Sequence, residues 1–182
     1  GLLYGPDVKF EAFKKNFSNV AGSIGFAWQV NNSIILKFNS ARGFRAPSIP
    51  ELASNGAHEG TNRYEYGEQN LKSETSWQTD AGIEVNTEHV SLNANLFLNS
   101  LQNFIYYRKL LSVNGTDSII NDGTDDYYAF RFNQDNATLY GAEFNIDIHP
   151  HPLDWLHIEN TFSWVRGVLG SEEDGSRNLP LI

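Results

Sequence analysis

The stretch from Ser40 to Ser76 reads SARGFRAPSIPELASNGAHEGTNRYEYGEQNLKSETS. It joins two segments in which apolar and polar residues alternate, one ending near Arg42 and one beginning at Trp77, so we predict a strand on each side. The residues between them, about 43 to 73, are rich in Gly, Asn, Glu and aromatic side chains. This composition favours a long loop built for contact rather than for a core.

Period-two alternation recurs along the rest of the chain and predicts an all-β fold. In one segment, for example, Leu92 and Leu96 share the face opposite Asn93. Six segments have this character, and we predict strands at about 23–30, 34–42, 77–85, 90–98, 140–148 and 156–164. Because consecutive strands follow one another through turns, an antiparallel meander of long strands is expected.

The connections between these strands alternate in length. Three are short, at 31–32, 86–89 and 149–154. Three are long and polar, at about 43–73, 109–136 and 167–178. Short turns at one end and long loops at the other are typical of outer-membrane β-barrels, whereas a β-sandwich usually has more even loops.

The two faces of the predicted strands suit two different environments. Carboxylates lie deep inside strands on the polar face, where they need water: Asp80, Glu84, Glu143 and Asp147. Three tryptophans are in phase with the apolar face and near strand ends: Trp28, Trp77 and Trp164. A barrel with a polar interior and aromatic bands at the membrane interfaces accounts for both. The alternative is a soluble sandwich whose core these tryptophans cap.

Composition excludes several classes. With 22 acidic and 13 basic residues, a formal net charge of -9, the chain lacks the cationic surface that nucleic acids need. No Cys means no disulfide, thiolate metal site or thiol catalysis, and no Met leads us to expect a processed product or an excised piece. No apolar run approaches the roughly 20 residues of a transmembrane helix. The 182 residues show no internal boundary, so we expect one domain over 1–182.

Three segments resemble TonB-dependent outer-membrane receptors in their residues and in their order along the chain. They are the Phe-Arg-Ala-Pro stretch at 44–47 with the loop to Glu74, the segment 97–106 and the segment 136–143. The resemblance implies the C-terminal part of a 22-stranded transmembrane barrel in the outer membrane of a Gram-negative bacterium. It also implies active import of a scarce ligand, such as a siderophore, haem, cobalamin or a glycan, with energy from the TonB complex acting through a plug. About six strands cannot close such a barrel, so the isolated fragment is expected to self-associate to hide its lipid-facing residues.

Candidate ligand-binding residues lie in the first long loop. They are Arg45, His58, Arg63, Tyr64 and Tyr66. Arginines suit anionic ligands, although Arg45 could instead anchor the loop to inward carboxylates. Haem receptors of this family carry a His between two boxes, and His58 follows the first box here. The second box is matched only in part by Gln69-Asn70-Leu71, so a loop role for His58 stays open.

Other clusters are interpreted as ordinary surface. His149, His151 and His157 flank a Pro-rich turn and could bind zinc, but a polar turn explains them. Acidic groups that could hold Ca²⁺ fit solvated loops equally well: Asp122, Asp125 and Asp126, and separately Glu172, Glu173 and Asp174. No catalytic motif is present, so we predict no enzyme, no catalytic residue, no metal site and no cofactor.

Three functional hypotheses therefore stand. The first is a barrel segment of a TonB-dependent receptor. The second is a soluble β-rich module that binds carbohydrate or another ligand, and the third is a β-rich hydrolase with two inward carboxylates. What the apolar face contacts distinguishes the first two, because a receptor turns it to lipid and a sandwich buries it in a closed core.

Overall fold

The computed structural model describes residues 13–58, 60–153, 155–173 and 176–179. Within them, strands of one sheet dominate. In chain order the elements are β1 (Gly22–Gln29), β2 (Ile34–Arg45), α1 (Ile49–Ala53), β3 (Asn55–Ala57), β4 (Arg63–Tyr66), β5 (Glu74–Asn86), β6 (Val90–Lys109), β7 (Ile119–Asn121), β8 (Asp126–Ile148), β9 (Ile158–Glu173) and β10 (Ser176–Asn178). No helix among these residues has the length and apolar character needed to cross a bilayer.

Six long strands form the predicted antiparallel meander, in the order β1-β2-β5-β6-β8-β9. Each of the six predicted strands is present, and the all-β fold class is confirmed. One pairing departs from the meander, because β4 lies parallel to β8, with Arg63 opposite Tyr128. Through this pairing, part of the first long loop lies beside β8.

The strand register brings the apolar residues of all six strands onto one continuous face, since opposed residues share a face. A single row across the sheet runs through Phe26, Phe38, Ala81, Leu96, Ala142 and Trp164. This face is open to the outside: Ile24 is 76%, Leu96 62% and Phe162 59% exposed. The apolar face is thus not the inside of a closed sandwich core.

The opposite face carries the predicted carboxylates in polar surroundings. Lys37 Nζ lies 2.5 Å from a carboxylate oxygen of Glu84. Asp80 accepts hydrogen bonds from Asn39 Nδ2 at 3.1 Å and from Gln78 Nε2 at 2.7 Å. Ion pairs and hydrogen bonds of this kind contribute little in water, so they fit a solvent-exposed face better than a buried core.

Two predicted loops are shorter than expected, because strands extend into them. β6, of 20 residues, ends at Lys109, β8, of 23 residues, begins at Asp126, and β9, of 16 residues, ends at Glu173. These strands therefore replace residues 126–136 of the first predicted loop and residues 167–173 of the second. In β6 and β8 these upper segments contain several Asn, Gln and Asp residues, and they break the simple alternation on which the prediction relied. The prediction of those two loops was therefore wrong in extent.

A β-bulge in β6 explains the break in alternation. The register with β8 shifts between Leu101 and Phe104, and Asn103 adopts a positive φ of 54°. One extra residue on β6 reverses which face each following residue takes. The bulge is held by the Asn103 side chain, which donates to Ser73 O at 3.3 Å, and by Gln134 Nε2, which donates to Asn103 O at 2.9 Å.

Above the bulge, both faces of the β6–β8 pair are covered. On one face Leu101 and Tyr106 are buried with Ala137 and Leu169. On the other, Ile105 packs with two residues of the first long loop, Leu52 and Leu71, which are 5% and 2% exposed. Neighbouring residues of a strand face opposite sides, so these are two separate clusters. The expectation that this loop would contribute little to a core was therefore wrong.

The loop also contains a short helix that sequence reasoning missed. Ser48 is the N-cap of α1, and its side chain accepts from Glu51 N at 3.4 Å while the Glu51 carboxylate accepts from Ser48 N at 2.6 Å. This reciprocal pair is a capping box, and Pro50 sits in the first turn, where its missing N–H costs nothing. The spacing Ser-x-x-Glu was the available signal.

Candidate ligand-binding site at the long-loop end

A groove of about 630 Å³ lies between the first long loop and the upper parts of β6 and β8. Its walls come from α1, β3, β4 and two aromatic side chains. The lining residues that matter below are Glu51, His58, Arg63, Glu65, Tyr107 and Phe132. Two of the five predicted site residues, His58 and Arg63, therefore line one groove.

A tight turn sets His58 beside Arg63. His58 N donates to Arg63 O at 2.9 Å, and Thr61 N donates back to His58 O at 3.2 Å. Gly60 has a φ of +79°, which a residue without Cβ adopts at little cost. The turn thus joins β3 to β4 and presents both side chains at the groove.

Arg63 is positioned by aromatic rings and a buried acid. Its guanidinium carbon lies 4.4 Å from the centre of the Tyr107 ring and 5.9 Å from that of Phe130. Its Nε lies 3.8 Å from Oε1 of Glu65, a residue only 7% exposed. Stacking uses the flat face of the guanidinium, so N–H groups at its edge stay available to a planar acceptor such as a carboxylate.

Arg45 anchors the loop. Its guanidinium donates to both carboxylate oxygens of Glu51 at 2.8 Å and to Glu74 Oε2 at 3.1 Å. The same Glu74 oxygen accepts from Ile105 N at 3.0 Å. The end of β2, the start of α1 and the start of β5 are therefore tied together, and Glu51 faces the groove from this network.

Tyr64 and Tyr66 lie on the opposite face of β4 from Arg63, because residues of a strand alternate. Their rings are 5.0 Å apart, and Tyr64 Oη lies 3.1 Å from Asn55 Oδ1. Burial, together with Tyr64, raises the pKa of Tyr66, against the opposing charge of Arg131. The structure therefore does not bring all five predicted residues together in one groove.

Tyr107 and Phe132 are groove residues that sequence reasoning did not single out. Tyr107 lies edge-on to Phe132, with ring centres 6.1 Å apart. The sequence signal that could have identified them is the group of aromatic residues just beyond the predicted strand ends. In the structure these segments are extensions of β6 and β8. With these rings the groove combines imidazole, guanidinium and aromatic surface, a combination that suits a flat anionic ligand.

The other predicted clusters fall in different places. His149 and His157 come together beside Asp147, whereas the His151 ring lies 5.9 Å from that of His89. Asp122 accepts from the backbone N–H groups of Thr124 and Asp125 at 2.9 and 3.0 Å, and these bonds lower its pKa. That is the geometry of a turn. Asp174 lies outside the described residues.

Comparison with known proteins identifies a family for this chain and several solved structures with a similar fold. Residues 3–180 match the model of the family described as TonB dependent receptor-like, beta-barrel. Among solved structures, the copper transporter OprC aligns at 17% identity and a TM-score of 0.63, over 88% of this chain and 22% of its own length. The siderophore receptor PirA from Pseudomonas aeruginosa aligns at 21% identity and 0.60, over 82% and 25%. The FrpB iron transporter from Neisseria meningitidis aligns at 13% and 0.54, over 83% and 20%.

These alignments show a shared fold. The chain spans about a quarter or less of the length of each of these three structures.

Proposed function

Since the chain belongs to the family of TonB-dependent receptor-like β-barrels, we propose that it forms part of the wall and ligand-binding loops of an outer-membrane import receptor. Such receptors are transporters rather than enzymes. The receptor captures a scarce small ligand from outside a Gram-negative cell and imports it with energy delivered by TonB. In this proposal the TonB contact is made by a plug, which is separate from the wall described here.

The observation that carries the proposal is the continuous exposed apolar face of the six-stranded meander. Lipid is the environment that makes such a face favourable, while the charged opposite face borders water. The soluble binding module would bury Ile24, Phe26, Leu96 and Phe162 together, yet all four are exposed. Nothing in the described part of the chain favours that alternative.

We propose that the groove contacts the ligand through His58 and Arg63, with Tyr107 beneath the guanidinium. Arg45 shapes the groove through Glu51, and the pair Tyr64 and Tyr66 offers a second aromatic surface on the other side of β4. This chemistry favours an anionic, flat or aromatic metal chelate, such as a siderophore or haem, over cobalamin or a glycan. The solved structures with the same fold include siderophore, iron and copper transport proteins.

The test is uptake by the full-length protein in a Gram-negative strain lacking its own copy. The probes are ferric catecholate and hydroxamate siderophores, haem, cyanocobalamin and maltodextrin, each with and without TonB. We expect TonB-dependent uptake of a ferric chelate. Uptake that persists without TonB, or no uptake of any probe, would overturn the proposal.

Two variants then examine the groove. Arg63→Gln is expected to lower uptake of the accepted chelate about tenfold or more, because it removes a stacked charged donor. Arg42→Gln is the matched control, since it makes the same change outside the groove and should leave uptake unchanged. For haem, an unchanged uptake in His58→Ala would exclude His58 as a ligand to the iron.

A further inference from the structure

The candidate groove is at the long-loop end, whereas four of the five histidines of the chain lie at the short-turn end of the sheet: His89, His149, His151 and His157. Two of them share one carboxylate. His149 Nε2 lies 2.9 Å and His157 Nδ1 lies 3.3 Å from the same oxygen, Oδ2 of Asp147. We call Asp147, His149 and His157 the His–Asp cluster.

The cluster lies on the polar face of the sheet. Asp147 lies near the end of β8, His149 follows two residues later, and His157 directly precedes β9, whose first residue, Ile158, is paired with Ile148. The two imidazoles meet edge-on with centres 4.8 Å apart. The candidate ligand atoms of the three residues all lie within 4.8 Å of one another.

Hydrogen bonding alone leaves this cluster short of partners. When both imidazoles donate to Asp147 Oδ2, the other ring nitrogen of His149 and the other oxygen of Asp147 are bare acceptors. Both atoms, His149 Nδ1 and Asp147 Oδ1, are buried and have no hydrogen-bond partner. Buried lone pairs without a donor are costly, and a cation that also binds Asp147 Oδ1 satisfies one of the two. His149 Nδ1 is not the nitrogen that lies beside Asp147 Oδ2, so a cation held through His149 Nε2 does not reach it.

The charge around the cluster also favours a cation. Glu159 is directly opposite Asp147 in the β8–β9 register, and like charges at such positions repel. Glu84 and Glu159 join Asp147 in lining an adjacent cavity of about 290 Å³. Lys37 Nζ lies 2.5 Å from a carboxylate oxygen of Glu84, whereas the partners given for Asp147 among the described residues are the two imidazoles.

The geometry points to a divalent transition-metal site in the His–Asp cluster, of the Zn²⁺, Cu²⁺ or Ni²⁺ class. Two imidazoles and a carboxylate suit these ions better than Mg²⁺ or Ca²⁺. In a tetrahedral Zn²⁺ site with Zn–N and Zn–O bonds of about 2.0–2.1 Å, the ligand atoms are about 3.3 Å apart. The 3.3 Å between His157 Nδ1 and Asp147 Oδ2 matches this value, whereas the 2.9 Å between His149 Nε2 and the same oxygen must lengthen when an ion binds. Three protein ligands leave a position open, which is typical of an exchangeable rather than a structural ion.

The site rests on these side chains alone. Its placement at the periplasmic mouth of a barrel rests on the proposed function, because short turns face the periplasm in such barrels. Metal binding and ligand import can therefore fail independently. An import defect with normal metal binding would leave the site standing.

The test uses the full-length protein in detergent, stripped with EDTA and titrated with Co²⁺ as a spectroscopic probe and with Zn²⁺ as competitor. We expect one Co²⁺ per chain with visible absorption bands that Zn²⁺ abolishes. His149→Gln, His157→Gln and Asp147→Asn should each weaken binding at least about tenfold. His151→Gln and His89→Gln are matched controls at the same end of the sheet and should bind normally.

A second measurement on the unchanged protein guards against misfolded variants. Bound Zn²⁺ should protect His149 and His157, but not His58, from diethylpyrocarbonate, as read by mass spectrometry. Absence of stoichiometric Co²⁺ binding, binding that survives the three cluster variants, or equal modification of His149 and His157 with and without Zn²⁺ would each overturn the proposal.

Discussion

Among single residues, Arg45 joins the elements that surround the groove. Its guanidinium bridges Glu51 and Glu74, which belong to elements far apart in sequence. The sequence suggested either a ligand-binding or an anchoring role for Arg45, and the ion pairs provide the anchoring. The partners themselves could not be predicted, because pairing of Glu51 with Arg45 depends on a helix that was overlooked.

The anchoring role gives a first prediction. Arg45→Gln should loosen the loop at 46–73 by about 1 kcal/mol, a modest value because Arg45 is part-exposed and screened by water. Limited proteolysis of the folded protein should then cut this loop several-fold faster. Arg42→Gln, which changes an arginine whose guanidinium donates to Val20 O, should not alter the rate. Equal cleavage in both variants would contradict the anchoring role.

Close packing at Gly141 gives a second prediction. A Cβ built there would lie 2.4 Å from Trp164 O and 2.6 Å from the Phe97 ring. Gly141→Ala should therefore reduce the free energy of unfolding by about 1–3 kcal/mol, because the carbonyl belongs to the neighbouring strand and cannot move alone. Gly22→Ala, where no atom lies within 4 Å, is the control. Urea titration in lipid vesicles measures both, and equal midpoints would argue against the close approach.

At the level of elements, the extended upper halves of β6, β8 and β9 are the main departure from expectation. Alternation predicted each strand correctly where one face is apolar and the other wet, as in the segment 90–98. It failed above the bulge, since an extra residue at Asn103 reverses the phase and both faces are covered there, one by the first long loop and the other by Leu169 of β9 and Leu179. The sequence of a strand does not show which distant segment will cover it, so these segments were predicted to be polar loops.

A carboxylate joins two of these extensions and supplies a pH prediction. Asp135 accepts from the Ser171 backbone N–H at 2.7 Å and from the Ser171 hydroxyl. Desolvation alone would raise the pKa of Asp135, but these bonds, with Asn136 N–H and the charge of Arg177, outweigh it and hold the pKa below its usual value. Asp135 lies above the bulge, opposite Phe104 and on the long-loop side of β8.

Because the folded pKa is the lower one, Asp135 stabilises the fold fully above the ordinary carboxyl pKa of about 3.9, and loses this effect as the pH falls through the lowered value. Asp135→Asn should therefore melt at a lower temperature than the unchanged protein at pH 7. The difference should shrink below about pH 4. A difference that stays constant down to pH 2 would mean that ionisation of Asp135 does not contribute.

For the whole molecule, the exposed apolar face was predictable because its six segments each repeat with period two, and the register of the sheet merely joins them. The groove was not predictable as a whole: His58 and Arg63 were identified, but Tyr107 and Phe132 come from strands whose ends were misplaced. The parallel β4–β8 pairing that closes the groove links residues about 65 positions apart, as Arg63 and Tyr128 illustrate.

Lipid exposure gives the last prediction. Leu96→Arg should destabilise the full-length protein in bilayers by about 2–4 kcal/mol and reduce its insertion, because the side chain meets hydrocarbon. Asn145→Arg places the same charge on the polar face and should insert almost normally. Folding into vesicles, followed by protease protection, measures both. Equal insertion of the two variants would contradict the assignment of faces.

The bulge at Asn103 has a consequence for how such a protein diversifies. Because it resets the phase of β6, changes of length or sequence above it leave the lipid-facing register below unaltered. The upper tier, with its groove, and the lower wall are therefore separable units of variation. Selection can change what the upper tier recognises by insertion or substitution while the wall is inherited intact.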